Sequence, residues 1–432
     1  MEAESTAGVK KRQGAAPASA SAAPYIPDEV VRDILVRLPS RSVLRSRAVC
    51  KAWLRIVSCP EFALEHHRRQ PALPLVSFLR DAGGREVADV ADCCVEAFDL
   101  RADEFRSVTR FTDSRKRCGK FRIRGSCDGL LLVTFGHRLY ICNPATHQWT
   151  RLPTPLPSSK FAGFYRHEPT GEYRGVWPAQ SYYILVADGR KGGGIGLPSK
   201  KNVYKFKEYA GGSPALYRGI LHWHPHRRHA NLILAFNTVT EVSQWFCAPP
   251  AALRENMSLL EVEDKLALFS CGKDVTMVEL WLMQDYEKKA WVCKHRIELP
   301  AMNVCTFSLG EPWRVFFMSE EGVVLVDPHN KLLHYHLDGN LKESFRCDGH
   351  LLKITPYTLK ESLIQHSFFE TQANGNGDDK SPPFFRGLYE KGRSSALLIS
   401  SVNELRPDNF QLRFLELFVL SAIYAAAAAT EK

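Results

Sequence analysis

Apolar positions along this chain change period near residue 70. Before it they fall at helical spacing: Val30, Val31, Ile34, Leu35 and Leu38 recur on one face of a 3.6-residue repeat. Asp28 and Glu29 stand in what would be the first turn, where negative charge suits the helix dipole. Pro39 ends this helix, and Ser40 is placed to cap a second short one carrying Val43 and Leu44. Val49, Trp53 and Val57 line one face of a third, and Pro60 suits the first position of a fourth. Helices this short cannot bury both faces among themselves, so an apolar face is left for a partner or for the next domain.

After residue 70 short runs of Val, Ile, Leu, Phe, Tyr and Trp alternate with Gly, Pro, Asn and Asp turns, which predicts strands. One unit is clear. Residues 126–133 read as a strand, 139–142 as the next, Asn143-Pro144-Ala145-Thr146 as a turn and 148–153 as a third strand. The unit returns at 219–246, with a turn at Asn237; at 265–292, with Asp285; and at 322–336, with Asp327. Fainter copies place Asp99 after Ala97-Phe98 and Asp188 after Ile184-Leu185-Val186. The turn residues at 99, 143, 188, 237, 285 and 327 are spaced 44, 45, 49, 48 and 42 apart. An Asn or Asp there can bond the backbone two residues on. A drifting period of this length, with three or four strands per unit, predicts a β-propeller of six or seven blades that closes past residue 350. A β-sandwich or an open array of hairpins is the alternative. The expected class is therefore α+β and multidomain, a small all-α N-terminal module ahead of an all-β domain.

Composition changes this picture little. The chain has 432 residues and a net charge of +10, which weakly favours acidic partners. Part of the excess is local, in the stretch from Arg110 to Arg124 with Arg115-Lys116-Arg117, which reads as a solvated strand or loop before it reads as a nucleic-acid patch. Twelve cysteines are scattered without a C-x-x-C pair, and the adjacent Cys93 and Cys94 sit in an apolar stretch. Reduced thiols in a cytoplasmic or nuclear protein are expected. Residues 1–24, rich in Ala, Ser and Pro around Lys10-Lys11-Arg12, read as a disordered arm without the apolar core of a secretion signal. Residues 371–393 read as a linker, and 410–429 as an apolar helix. Its uninterrupted run from Leu417 to Ala429 is shorter than the roughly 20 residues that a membrane span needs.

No catalytic constellation emerges. G-x-S-x-G, G-x-x-x-x-G-K-[ST] and H-E-x-x-H are all missing, and the glycines at 192–194 and 196 lack the Lys-Ser/Thr of a phosphate loop. His222, His224, His226 and His229 form one cluster, read as a polar hairpin tip with Arg227 and Arg228 before it is read as a metal site. No cofactor and no metal is expected.

Residues 26–62 resemble an F-box, on Ile26-Pro27, Ile34-Leu35, Arg37-Leu38-Pro39, Leu44, Arg47, Val49-Cys50-Lys51, Trp53 and Pro60-Glu61-Phe62. Ser46 departs from the pattern, which more often carries a larger apolar residue there. The resemblance implies docking onto a Skp-type adaptor, and through it onto a cullin-RING ubiquitin ligase. The apolar set Ile26, Pro27, Ile34, Leu35, Leu38, Pro39, Leu44, Val49 and Trp53 would serve both that contact and the module's own core, in a division the sequence leaves open. The following region is similar to the F-box-associated domains of plant F-box proteins. It carries Gly125-Ser126-Cys127-Asp128-Gly129-Leu130-Leu131, Ile141-Cys142-Asn143-Pro144-Ala145-Thr146, the run 164–173, the run 217–223 and Tyr357-Thr358-Leu359-Lys360-Glu361-Ser362-Leu363. The likeness runs from residue 25 to about 368. It divides the chain into an arm (1–24), an F-box (25–68), a propeller-like domain (70–368) and a tail (369–432). It implies a non-catalytic substrate-recognition subunit whose propeller captures a target protein that the sequence does not identify. A scaffold that binds the adaptor without delivering a substrate, and a nucleic-acid-binding propeller, are the other readings. No membrane partner is expected.

Overall fold

The computed structural model describes residues 26–80, 92–99, 101–112, 121–135, 138–152, 163–176, 182–185, 194–195, 213–224, 232–249, 255–262, 264–271, 277–299, 314–319, 322–326, 331–346 and 350–369. The expected arm (1–24), most of the expected tail and its apolar helix lie outside them, as do Asp188, Asp327, His226 and His229.

Four short helices come first: α1 (Asp28–Leu35), α2 (Ser40–Ser46), α3 (Lys51–Val57) and α4 (Pro60–Arg69). Their apolar stripes meet in one small core of Val31, Leu35, Val36, Leu38, Val43, Trp53, Val57 and Phe62. Pro60 opens α4 at its first turn, as its fixed φ and missing N–H favour. The turn after α1 is held from α4: the Leu38 carbonyl accepts from His66 Nε2 at 2.8 Å and from Gln70 Nε2 at 3.3 Å. Burial keeps the His66 imidazole below its ordinary pKa. Ser40 does not cap α2. It is the first helical residue, Pro39 stands at the cap, and no cap side chain bonds the helix. The open Ser40 N–H instead donates to Glu361 Oε2 at 2.9 Å.

Two residues, Gln70 and Pro71, separate α4 from the first strand. Among the described residues, six four-stranded sheets follow, every pairing antiparallel. Sheet A holds β1 (Ala72–Arg80), β2 (Asp92–Asp99) and β3 (Glu104–Thr112). Sheet B holds β4 (Arg122–Cys127), β5 (Leu130–Phe135), β6 (Arg138–Asn143) and β7 (Gln148–Leu152). Sheet C holds β8 (Gly163–His167), β9 (Glu172–Val176), β10 (Tyr182–Leu185) and β11 (Gly194–Ile195). Sheet D holds β12 (Ala215–Tyr217), β13 (Ile220–Trp223), β14 (Leu232–Asn237) and β15 (Ser243–Cys247). Sheet E holds β16 (Glu255–Val262), β17 (Lys265–Cys271), β18 (Met277–Asp285) and β19 (Ala290–Glu298). Sheet F holds β20 (Arg314–Ser319), β21 (Gly322–Val326), β22 (Lys331–Tyr335) and β23 (Leu341–Arg346). The last strand, β24 (His350–Lys360), returns to sheet A and pairs with β1, giving the order β24-β1-β2-β3.

Neighbouring sheets pack face to face in sequence. Leu75 and Val95 of A meet Ile123 and Leu131 of B. Leu132 and Ile141 of B meet Phe164 and Tyr173 of C. Tyr165 of C meets Leu221 and Phe236 of D. Ala235 and Phe246 of D meet Leu268 and Trp281 of E, and Phe269 and Leu280 of E meet Val323 and Tyr335 of F. The circuit closes where Phe345 of F packs edge-on against Phe98 of A at 5.3 Å between ring centroids. Asp103, beside that contact, takes His334 Nδ1 at 2.5 Å and Lys342 Nζ at 2.9 Å from F. This is propeller architecture, closed by a strand from the far end of the chain. It replaces the sandwich and open-array alternatives.

Two readings of the repeat need correction. The run 126–133 is not one strand. A hairpin cuts it at Asp128-Gly129, with φ of 51° and 80°, and Arg218-Gly219 does the same ahead of β13 with φ of 49° and 69°. Two successive positive φ values are the signature of a type I′ turn, whose twist matches the strands it joins. The strand before each of these turns, β4 or β12, was therefore missed. The second correction concerns Asp327. Asp99, Asn143, Asn237 and Asp285 all end the third strand of their sheets, and each accepts the backbone N–H groups two and three residues on at 2.9–3.4 Å. Asp327 follows β21, the second strand of its sheet. The corresponding turn of sheet F lies at 336–340, where Asp338 Oδ1 accepts the Asn340 N–H at 2.9 Å.

Candidate docking and coupling site

The helical core divides the predicted docking set. Leu35 and Leu38 are fully enclosed and Trp53 is buried, all in the core of the four helices. Ile26, Leu44 and Val49 are partly buried against that core. Ile34 and Pro39 are half-buried, and Pro27 is exposed. Large apolar side chains left open to solvent are instead Val30 of α1 (46% exposed), Leu54 of α3 (42%) and Leu64 of α4 (43%). None of the three stood in the expected set. Each occupies an outward position of its helix; Val30 was expected in the buried stripe of α1 with Val31 and Leu35, and it faces solvent instead. Arg55 on α3 pairs with Asp28 on α1 at 3.7 Å, and Arg32 on α1 with Glu65 on α4 at 3.0 Å, so ion pairs bridge the three helices. Ser46, the departure from the pattern, is fully buried and donates from Oγ to the Val43 carbonyl at 2.7 Å, so a small polar residue there is satisfied locally.

A second contact joins the helices to the sheets. Beyond β24, Glu361 caps α2 through Oε2, and its carbonyl accepts His67 Nδ1 of α4 at 2.8 Å. Lys360 Nζ donates to the Arg68 carbonyl at 2.8 Å. Leu363 is buried in the helical core and Ile364 packs against it. The same few residues are held from the other side. The fully buried Asn143 donates from Nδ2 to the Ser362 carbonyl at 3.0 Å. Gly129 lies so close that a Cβ there would overlap Ser362, and its φ of 80° already disfavours one. His366 and Phe368 stack on each other and meet Tyr173 edge-on, and Phe369 is buried between sheets B and C. Burial pushes the His366 imidazole down to about 4, so it is neutral in this stack near pH 7.

Of the histidine cluster, His222 lies inside β13, ahead of the expected hairpin tip, and the tip residues Arg227 and Arg228 lie outside the described residues. His222 is fully buried, and its Nε2 shares a hydrogen bond of 2.8 Å with the Tyr286 hydroxyl. Burial drives its pKa down to about 4. Among the described residues no group of His, Cys, Asp and Glu is arranged to hold a metal ion, and no helix is long and apolar enough to cross a membrane. Beside His222, between sheets D and E, lies a groove of about 610 Å³ lined by Phe246, Trp281, Lys288, Lys289 and Trp291. Lys289 Nζ stands 3.5 Å from the Tyr286 ring centroid and 4.8 Å from that of Phe246. Burial lowers the pKa of that ammonium.

A four-helix module with outward apolar residues is thus fastened to a closed circuit of four-stranded sheets. The family comparison names the class. The model of the F-box associated beta propeller domain matches residues 103–336, and that of the F-box-like domain matches residues 23–65. The chain belongs to the F-box associated beta propeller family and carries an F-box-like module ahead of that domain. Its relatives are distant but match along their length. It is 24% identical over 386 residues to F-box protein CPR1 of Arabidopsis thaliana, covering 79% of this chain and 88% of that protein. It is 25% identical over 359 residues to F-box protein At5g49610 of the same plant, covering 75% and 92%. A third relative, F-box/kelch-repeat protein At2g43445, also of Arabidopsis thaliana, is 23% identical over 385 residues, covering 82% and 88%.

Proposed function

We propose that this protein is the substrate-recognition subunit of an SCF-type ubiquitin ligase, non-catalytic in itself. The F-box holds a Skp-type adaptor and the β domain holds a target protein. The observation that carries this reading is the pairing of a well-packed F-box, in which α1, α3 and α4 each leave a large apolar side chain exposed (Val30, Leu54 and Leu64), with the domain that accompanies F-boxes in this family. The contribution to reaction rate is proximity: a target lysine held near a charged ubiquitin-conjugating enzyme meets it at high effective concentration. We read the six four-stranded sheets as six blades of one ring. On the F-box side, Leu35, Leu38 and Trp53 act by shaping the module. Pro27, Ile34, Pro39 and the three outward apolar residues provide the adaptor contact.

The test is a pull-down of purified Skp-type adaptor by wild type and by a Val30→Asp, Leu54→Asp double variant. Two charges at these exposed positions must be desolvated on docking, so binding is lost while the F-box core is untouched. No binding by folded wild type would sink this reading.

A further inference from the structure

The chain passes from α4 to β1 through only Gln70 and Pro71. A single two-residue joint leaves two bodies free to swing about it, and domains in one chain move relative to each other unless a second contact prevents it. That second contact is present, and its sources lie far apart in sequence. Residues 360–364 reach the F-box after the ring has closed, while 362–369 are gripped by sheets B and C.

We propose that residues 360–369 form a latch that fixes the angle between the F-box and the propeller, with Glu361 and Leu363 as its F-box end and Asn143 and Gly129 as its propeller end. At the F-box end, the Glu361 carboxylate meets the N-terminus of α2, the positive end of that helix dipole, and bonds an N–H that no cap side chain satisfies. Leu363 is buried among the F-box apolar side chains. At the propeller end, the Asn143 side chain does two things at once. Oδ1 orders the turn between β6 and β7, and Nδ2 holds the Ser362 carbonyl. Among the described residues, the Asn237 and Asp285 side chains bond within their own turns, whereas Asn143 also reaches the segment that touches the F-box. Gly129, with no side chain, lets Ser362 lie against the β4–β5 hairpin. Stacked His366 and Phe368 against Tyr173, and buried Phe369, secure the far end of the segment.

The consequence goes beyond stability. With a fixed angle, the ligase presents one face of a bound target, and one set of lysines, to the conjugating enzyme. Residues of the latch are positioning residues for transfer, acting through geometry and touching neither adaptor nor reacting groups.

Two readouts test this. The first is single-molecule energy transfer between dyes at Cys50 in the F-box and Cys247 in sheet D, both exposed free thiols, with Cys59, Cys93, Cys94, Cys118, Cys293, Cys305 and Cys347 changed to serine. Wild type gives one narrow distance distribution. Glu361→Ala with Leu363→Ala, and separately Asn143→Ala, broaden it. Asn143→Ala releases the propeller end without touching the F-box, so the test survives even if the first variant disturbs the F-box core. The second readout rests on the ligase-subunit reading. In a reconstituted ligase, the chain's own lysines are mapped for self-ubiquitination. Latch variants keep adaptor binding yet spread modification over lysines that wild type leaves unmodified. A broad distribution in wild type, or a narrow one in both variants, overturns the latch. Failure of wild type to bind the adaptor overturns the ligase reading and leaves the distance result standing.

Discussion

Glu361 Oε2 accepts the backbone N–H of Ser40 at 2.9 Å across 321 residues of chain. A helix near the start of the F-box is thus capped by a residue that arrives only after β24 has paired with β1. Cap bonds of this kind are worth about 1 kcal/mol. Glu361→Ala should therefore lower the stability of the F-box by about that amount in denaturant titration. Ser40→Ala should be close to neutral, because the buried Ser40 hydroxyl has no hydrogen-bond partner among the described residues. The reverse ranking would restore Ser40 as the cap.

Leu38 and Val30 should separate folding from docking. Leu38 is fully enclosed, and Leu38→Ala should destabilise the F-box by about 2–5 kcal/mol through lost burial and the cavity left behind. Val30→Asp should leave the unfolding midpoint nearly unchanged and abolish adaptor binding. Calorimetry on both variants, followed by adaptor titration, distinguishes the two roles.

Asn143 and Asn237 share one turn geometry but not one environment. Asn143→Ala exposes a buried carbonyl, that of Ser362, to the loss of its donor, and should cost about 1–3 kcal/mol. Asn237→Ala removes only exposed turn bonds and should cost well under half of that. Equal losses in thermal unfolding would remove the special standing of Asn143.

Glu96 gives the fold a pH dependence. It sits in β2 opposite Val76 and Ser107, largely buried, and burial pushes its pKa up to about 7. Among the described residues its Oε2 has no hydrogen-bond partner. The folded pKa lies above the unfolded value of 4.5, so the folded state favours the protonated form. Its stabilising effect is full below about pH 4.5 and is lost as pH rises through 7. The difference amounts to about 2–4 kcal/mol at pH 8. Glu96→Gln, which stays neutral, should raise the melting temperature at pH 8 and leave it nearly unchanged at pH 4.5.

Asp103 has the opposite sign. Burial alone would raise its pKa, but the bonds from His334 and Lys342 outweigh this and hold it below the ordinary value. Its contribution to closing sheet F onto sheet A is present above the unfolded pKa and is lost as pH falls through the lowered one. Asp103→Asn should lower the melting temperature at pH 7 and have little effect at a pH below the lowered folded pKa. An equal loss at both values would show that the charge plays no part.

Features that depend on neighbours along the chain are legible in the amino-acid order alone. Helical spacing in Val31, Leu35 and Leu38, the Pro60 start of α4 and the Asx turns at Asp99, Asn143, Asn237 and Asp285 are local physics, and all are seen in the structure. The reading slipped where a local cue was ambiguous. Asp128-Gly129 lies between apolar residues, so the expected strand 126–133 runs through it; the expected unit 219–246 begins at the Arg218-Gly219 turn and leaves out the strand before it; Asp327-Pro328 has the composition of the repeated turn without its place in the sheet.

Other features depend on which elements come to lie opposite one another in space. Whether Leu38 faces the core and Leu54 the solvent depends on which helix lies opposite, and a stripe carries no such information. Glu361 is an unremarkable acid in the sequence; it becomes a helix cap because β24 carries it back beside β1, and so beside the F-box. The same closure turns Ser362 and Leu363 from the end of a motif into the joint between two domains. Contacts of this range form when a ring closes, and their partners are set by the geometry of the whole circuit.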